Sequence, residues 1–130
     1  MLSPQEIVNN KMLAEDAFSQ WLGIKLVHID DRDCVATLTV RTEMLNGFLI
    51  AHGGIAYALA DSVFAFATNA AGRQAVSIET SISHTAKVVH GDTLTASTER
   101  IHQSRKFASY TVRVVNQHEV LVASFKGTAY

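Results

Sequence analysis

The run from Ile55 to Ala71 constrains the fold more than any other stretch. Nearly every residue in it is apolar or small, yet one carboxylate, Asp61, stands in its middle. At about 3.6 residues per turn, the large side chains Ile55, Leu59, Val63 and Phe66 fall on one face. Gly54, Ala58, Asp61, Ser62, Ala65, Thr68 and Asn69 make a narrow stripe on another. A helix apolar round most of its circumference is wrapped by protein. Asp61, Ser62, Thr68 and Asn69, with the many alanines, argue against a bilayer span. The pattern predicts a helix buried in a core on one side and closely approached by something else along the stripe.

The flanking sequence supplies the wrapping. Ser3-Pro4-Gln5-Glu6 reads as a capped helix start, with proline at the first helical position and Glu6 placed to complete a capping box. A helix of roughly four turns is expected to run towards Gln20 and end before Gly23, with Trp21 and Leu22 as its apolar anchor. From Ile24 the period changes to two: Ile24, Leu26 and His28 alternate with Lys25 and Val27. Asp30 to Asp33 is a charged turn, and Cys34 to Val40 is a second strand of a hairpin. Arg41 to Gly53 is a loop, and Gly72 is of the type that closes a helix. Strands are expected over Ala75–Val89, Thr93–His102, Phe107–Val115 and Val120–Tyr130, with turns at His90-Gly91-Asp92, Gln103–Lys106 and Asn116–Glu119. This order predicts an α+β fold in which one antiparallel sheet curls round one long helix. No repeat, linker or low-complexity segment interrupts it, and residues 1–130 are expected to form a single domain.

Charge narrows the partners. Lys plus Arg number 11 against 12 Asp plus Glu, a net charge of -1, which leaves no electrostatic footprint for nucleic acid and no basic run for a membrane surface. One cysteine, Cys34, excludes an internal disulfide and fits a reducing compartment. No signal-peptide pattern opens the chain, so a cytoplasmic protein is expected.

Chemistry concentrates on the long helix. A carboxylate such as Asp61 is costly to bury unless it is hydrogen bonded or faces a cleft, so it is either a satisfied structural acid or a reactive one. His52-Gly53-Gly54 opens the same helix, where unpaired amides and the positive end of the dipole suit an anion or a developing oxyanion. The glycines either make the turn or let a ligand approach the backbone. Asp61 follows Gly53 by eight residues, which is about 12 Å along a helix. Groups acting on one carbonyl need to be within about 3 Å of it. Two antiparallel copies of the helix, packed along the small-residue stripe, bring Gly53 of one opposite Asp61 of the other. That geometry predicts a two-fold dimer with two composite sites. Asn46-Gly47 is first a turn dipeptide, although Asn46 is also placed to hold a carbonyl or a water. Lys87, Arg105 and Lys106 are solvated turn residues or partners for phosphates. The six histidines show no metal-ligand spacing, and neither a GxSxG motif nor a phosphate-cradling loop is present. No metal or cofactor is expected.

The stretch MLNGFLIAHGGIAYALADSVFAFATN resembles the signature of hotdog-fold acyl-CoA thioesterases, most closely the phenylacetate-pathway (PaaI-type) branch. Leu22-Gly23-Ile24, Gly91–Leu94 and Val122–Gly127 are similar to further landmarks of that family. The resemblance implies a long helix wrapped by an antiparallel sheet, with dimers that pair into homotetramers. It implies that Asp61 is the acid acting on the thioester, as nucleophile or as base for water. By the same resemblance Gly53 polarises the carbonyl, and Asn46 lies at the reaction site. Substrate-binding positions are expected at His52, Gly54, Tyr57, Ser62, Phe64, Ser83, Arg105 and Lys106. One stretch departs from the family: Ser81 to Val89 lacks the usual aromatic residue and Arg-Pro pair, which alters the surroundings of the acyl chain and coenzyme A. The implied activity is hydrolysis of an acyl-CoA, an arylacetyl-CoA first, to the free acid and coenzyme A. Two rivals remain: a binding module that holds acyl-CoA without turnover, which has no need of Asp61, and a hotdog dehydratase, for which His52 lacks a partner acid.

Overall fold

Ser3 begins the first helical turn, α1 (Pro4–Glu6), in a complete capping box: its Oγ accepts from the Glu6 amide at 3.1 Å, and Glu6 accepts from the Ser3 amide at 3.0 Å. The regular four-turn helix expected beyond it does not form. In the computed structural model, which describes residues 1–130, Ile7–Met12 widens into a π-helical segment and Leu13–Glu15 tightens into a 3-10 turn. Asp16 explains the break. Its carboxylate accepts from the Ser19 amide at 3.0 Å and the Ser19 hydroxyl at 2.6 Å, and so starts a new helix, α2 (Ala17–Leu22), in place of continuing the old one. Gly23, at φ 75°, closes α2: its own amide bonds Gln20 and that of Ile24 bonds Ser19. Leu22 is fully buried as expected. Trp21 is not: it lies 47% exposed, with the Arg41 guanidinium 4.9 Å above its ring.

Six strands follow: β1 (Lys25–Ile29), β2 (Cys34–Thr39), β3 (Ser77–His84), β4 (Thr93–Gln103), β5 (Ala108–Val115) and β6 (Leu121–Ala129). They form one antiparallel sheet in the order β1-β2-β4-β5-β6-β3. Alternation sends Cys34, Ala36 and Leu38 of β2, Leu94 and Ala96 of β4, and Tyr110, Val112 and Val114 of β5 into the core. In β1 the simple alternation fails, because a bulge between Leu26 and His28 shifts the register.

The long helix α3 (Gly53–Asn69) crosses the concave side and packs against β2 to β6. Ile55, Leu59, Val63 and Phe66 are all buried, as their face predicts, while no residue of the small stripe is fully buried. Phe64 anchors the helix to the sheet, with its ring centroid 6.0 Å from Tyr110 and 5.7 Å from Phe125. That contact requires a glycine at position 127, where a Cβ would lie 2.8 Å from Phe64 Cε2. After α3 the chain passes to the far edge, where β3 pairs only with β6 and shows most of its residues to solvent. The expected strand Ala75–Val89 is shorter, since beyond His84 the Thr85 amide and hydroxyl turn onto the carbonyls of Val122 and Leu121.

Candidate active site

Three local devices set the start of α3. Leu45 and Ala51 form a bridge, and Asn46 closes the loop between them: its Oδ1 accepts from the Phe48 amide at 2.9 Å and the Ile50 amide at 3.4 Å. The turn role of Asn46 is therefore real. It consumes the oxygen and leaves the Nδ2 group without a protein partner. The Ala51 amide donates to the Val88 carbonyl at 2.7 Å, which clamps the segment after β3 against the entry to the helix. His52 is the N-cap: its Nδ1 accepts from the Gly54 amide at 2.9 Å, and its carbonyl accepts from the Ile55 amide. The Nδ1 of His52 is thus committed as an acceptor within the helix cap. Of the first three helical amides, only that of Gly53 has no acceptor.

Asn46, His52 and Gly53 line one small cavity of about 190 Å³, together with His84 and Lys87. Asp61 does not reach it. It lies one side of the helix further on, in a larger cleft of about 870 Å³ shared with Lys11, Thr68, Gln74 and Ser77. Half-buried and without a hydrogen bond or ion pair, Asp61 has its pKa pushed up by desolvation. Within the chain, the acid and the free amide occupy different cavities, as their spacing along the helix predicts.

The remaining predicted contacts divide. Gly54 has its amide committed to His52. Tyr57 lies outside both cavities, edge-on to Phe125 and hydrogen bonded through its hydroxyl to Thr80. Ser62 faces α2, with its Oγ 3.3 Å from that of Ser19. Phe64 is a core residue, only 1% exposed, that touches the larger cleft at its floor. Arg105 and Lys106 sit on the exposed β4–β5 turn, where the Arg105 carbonyl accepts from Arg73, and they line neither cavity. Ser83 also lines neither. The β3 hydroxyl in the cleft of Asp61 is that of Ser77, and the β3 side chain at the smaller cavity is His84. Sequence reasoning missed both, because each meets the helix only through the pairing of β3 with β6.

One antiparallel six-stranded sheet curled round a long central helix is the hotdog thioesterase fold. The thioesterase superfamily profile matches residues 48–123. The chain belongs to that superfamily. It is a homologue of the acyl-coenzyme A thioesterase PaaI of Escherichia coli K12, to which it is 38% identical over 119 residues, or 92% of this chain and 85% of that one. The structure of the E. coli PaaI protein superposes with a TM-score of 0.90 over 92% of this chain and 87% of the other. A mutant of the phenylacetic acid degradation protein PaaI from Thermus thermophilus is 37% identical and superposes at 0.84, covering 88% of this chain and 97% of its own. A putative esterase of Archaeoglobus fulgidus is 32% identical over 96% of this chain and 81% of its own length.

Proposed function

We propose that this thioesterase hydrolyses an acyl-CoA at sites shared between two subunits, with Asp61 from one and Asn46 and Gly53 from the other. The observation that carries the reading is the separation of Asp61 and Gly53 into different cavities, although both belong to one helix. In an antiparallel pair of α3 helices, the small stripe allows close approach and each donor-lined cavity meets the partner's acid. The exposed β3 edge offers a second surface for association. Pairing of dimers into a homotetramer completes the expected assembly.

In this site the Gly53 amide holds the thioester carbonyl, and the Asn46 Nδ2 group orients the attacking oxygen. Asp61 acts in one of two ways. It takes a proton from water, whose oxygen then adds to the carbonyl carbon, or it adds itself and forms an anhydride that water cleaves. In both routes the C–S bond breaks, coenzyme A leaves as its thiolate and takes up a proton, and the acyl group ends as a free acid. Burial pushes the Asp61 pKa up and makes its carboxylate more basic, which serves either route. Labelling with ¹⁸O-water under single turnover tests the anhydride route, since label enters Asp61 only when water opens an anhydride at the Asp61 carboxyl carbon. Similarity to PaaI proteins makes an arylacetyl-CoA, hydroxyphenylacetyl-CoA in particular, the first substrate to test, in a phenylacetate-degrading context.

The test is release of free thiol from a panel of phenylacetyl, hydroxyphenylacetyl, benzoyl, short-chain and long-chain CoA thioesters, with wild type compared to Asp61→Asn. A fall of about 100-fold or more in the variant is expected. Acyl-CoA binding without any wild-type turnover would instead establish a binding module. The protein's own thiol does not interfere. Cys34 is fully buried, and burial together with Asp30 and Asp33 pushes its pKa up to about 12. A lone buried thiol also fits the reducing cytoplasm, where we place the enzyme.

A further inference from the structure

The cavity around Gly53 contains a second ring that no capping role explains. His84 is the last residue of β3, and its backbone is held in register with Ala123 of β6. Strand pairing therefore fixes its position, and the side chain lies against the start of α3. A Cβ built on Gly53 would sit 3.3 Å from His84 Nε2 and 3.4 Å from Cε1. The two histidines at this cavity are in different states of engagement. His52 has given its Nδ1 lone pair to the Gly54 amide, whereas neither ring nitrogen of His84 has a protein partner. Lys87 lines the same cavity, and no carboxylate does. Donors without an acceptor converge beside the one free amide of the helix.

A single amide gives a developing oxyanion one hydrogen bond, and such sites gain much of their effect from a second preorganised donor. We propose that His84 supplies it: with its proton on Nε2, the ring shares the thioester oxygen with the Gly53 amide and strengthens its hold as charge develops in the transition state. The inference rests on the shared-site reading above and assigns a catalytic residue within it. Lys87, on a flexible stem three residues further on, adds positive potential to the same cavity without a fixed direction.

Two substitutions separate a donor from a mere filler. His84→Phe keeps a flat ring over Gly53 and removes the donor, whereas His84→Gln loses the ring and keeps an N–H. The proposal expects His84→Phe to lower kcat by about 100-fold with KM within a few-fold, and His84→Gln to retain most of the activity. The reverse order, or equal activity of His84→Phe and wild type, overturns it. A second readout needs no turnover. With ¹³C-carbonyl substrate bound to the Asp61→Asn enzyme, adding His84→Phe should raise the C=O stretching frequency, and an unchanged frequency counts against the donor. Because His84 is exposed on an edge strand, both variants are expected to melt like wild type. Absence of wild-type turnover defeats the thioesterase reading itself, while a fully active His84→Phe defeats this inference alone.

Discussion

Complementation between inactive subunits tests the shared site most directly. Asp61→Asn removes the acid, and Gly53→Pro removes the free amide. Proline suits the first position of a helix, and His52, at φ -57° and ψ 137°, already has the backbone conformation favoured before it. The added Cβ meets only the exposed His84 ring, 3.3 Å away. Each variant alone is expected to lose about 100-fold or more in kcat. Mixed in equal amounts and allowed to exchange subunits, half of the dimers are heterodimers. Each heterodimer has one site with both groups intact and one with neither, so the mixture should recover about one quarter of wild-type activity. The two cavities also predict which variants behave alike. Asn46→Ala should complement Asp61→Asn, since they lie in different cavities, but not Gly53→Pro, since Asn46 and Gly53 share one. With exchange verified by native mass spectrometry, activity no higher than that of the separate variants would refute the two-subunit geometry. Complementation between the Asn46 and Gly53 variants would refute the grouping.

Two further expectations concern stability. Burial raises the Asp61 pKa, so the native state binds this proton more tightly than the unfolded chain does. Stability therefore falls as pH rises from the ordinary aspartate range near about 4 through the raised value, and charged Asp61 is a cost at neutral pH. Asp61→Asn should melt higher than wild type at pH 7, with the gap closing as pH falls below about 4; a gap independent of pH contradicts the assignment to Asp61. Gly127→Ala places a methyl group 2.8 Å from the Phe64 ring and should cost about 1–3 kcal/mol in urea unfolding. Adding Phe64→Leu should recover part of that loss, whereas simple additivity of the two would mean that the clash is not its cause.

Legibility of the fold followed the range of the interactions that build it. The long helix, its two faces, the first hairpin and the last strands depend on period and on turn residues close by, and these were readable. The N-terminal helix was misread because its start signal at Ser3–Glu6 is genuine, while the competing carboxylate at Asp16 stops the helix ten residues after Glu6. Ala75–Val89 read as one strand because nothing in it marks the point where Thr85 leaves the sheet for Leu121 and Val122. The edge position of β3 comes from pairing with β6, far along the chain, and no local pattern encodes it.

The same distinction decides which parts of the site were visible. Gly53 and Asp61 lie on one helix, so their separation follows from its rise, and the proposal of a second subunit rests on that separation. His84 and Ser77 reach their cavities through the pairing of β3 with β6, which no local pattern encodes, whereas Ser83, the β3 serine expected at the site, lines neither cavity. The separation also has an electrostatic consequence. Within one chain, Asp61 has no hydrogen bond or ion pair, although Lys11 shares its cleft, and the donors of the smaller cavity sit beside Lys87, so neither satisfies the other. In the two-subunit site proposed above, the partner's donors face this carboxylate, and donors to the charged form lower its pKa. In that proposed arrangement, assembly opposes the upward shift that burial imposes on Asp61 in the single chain.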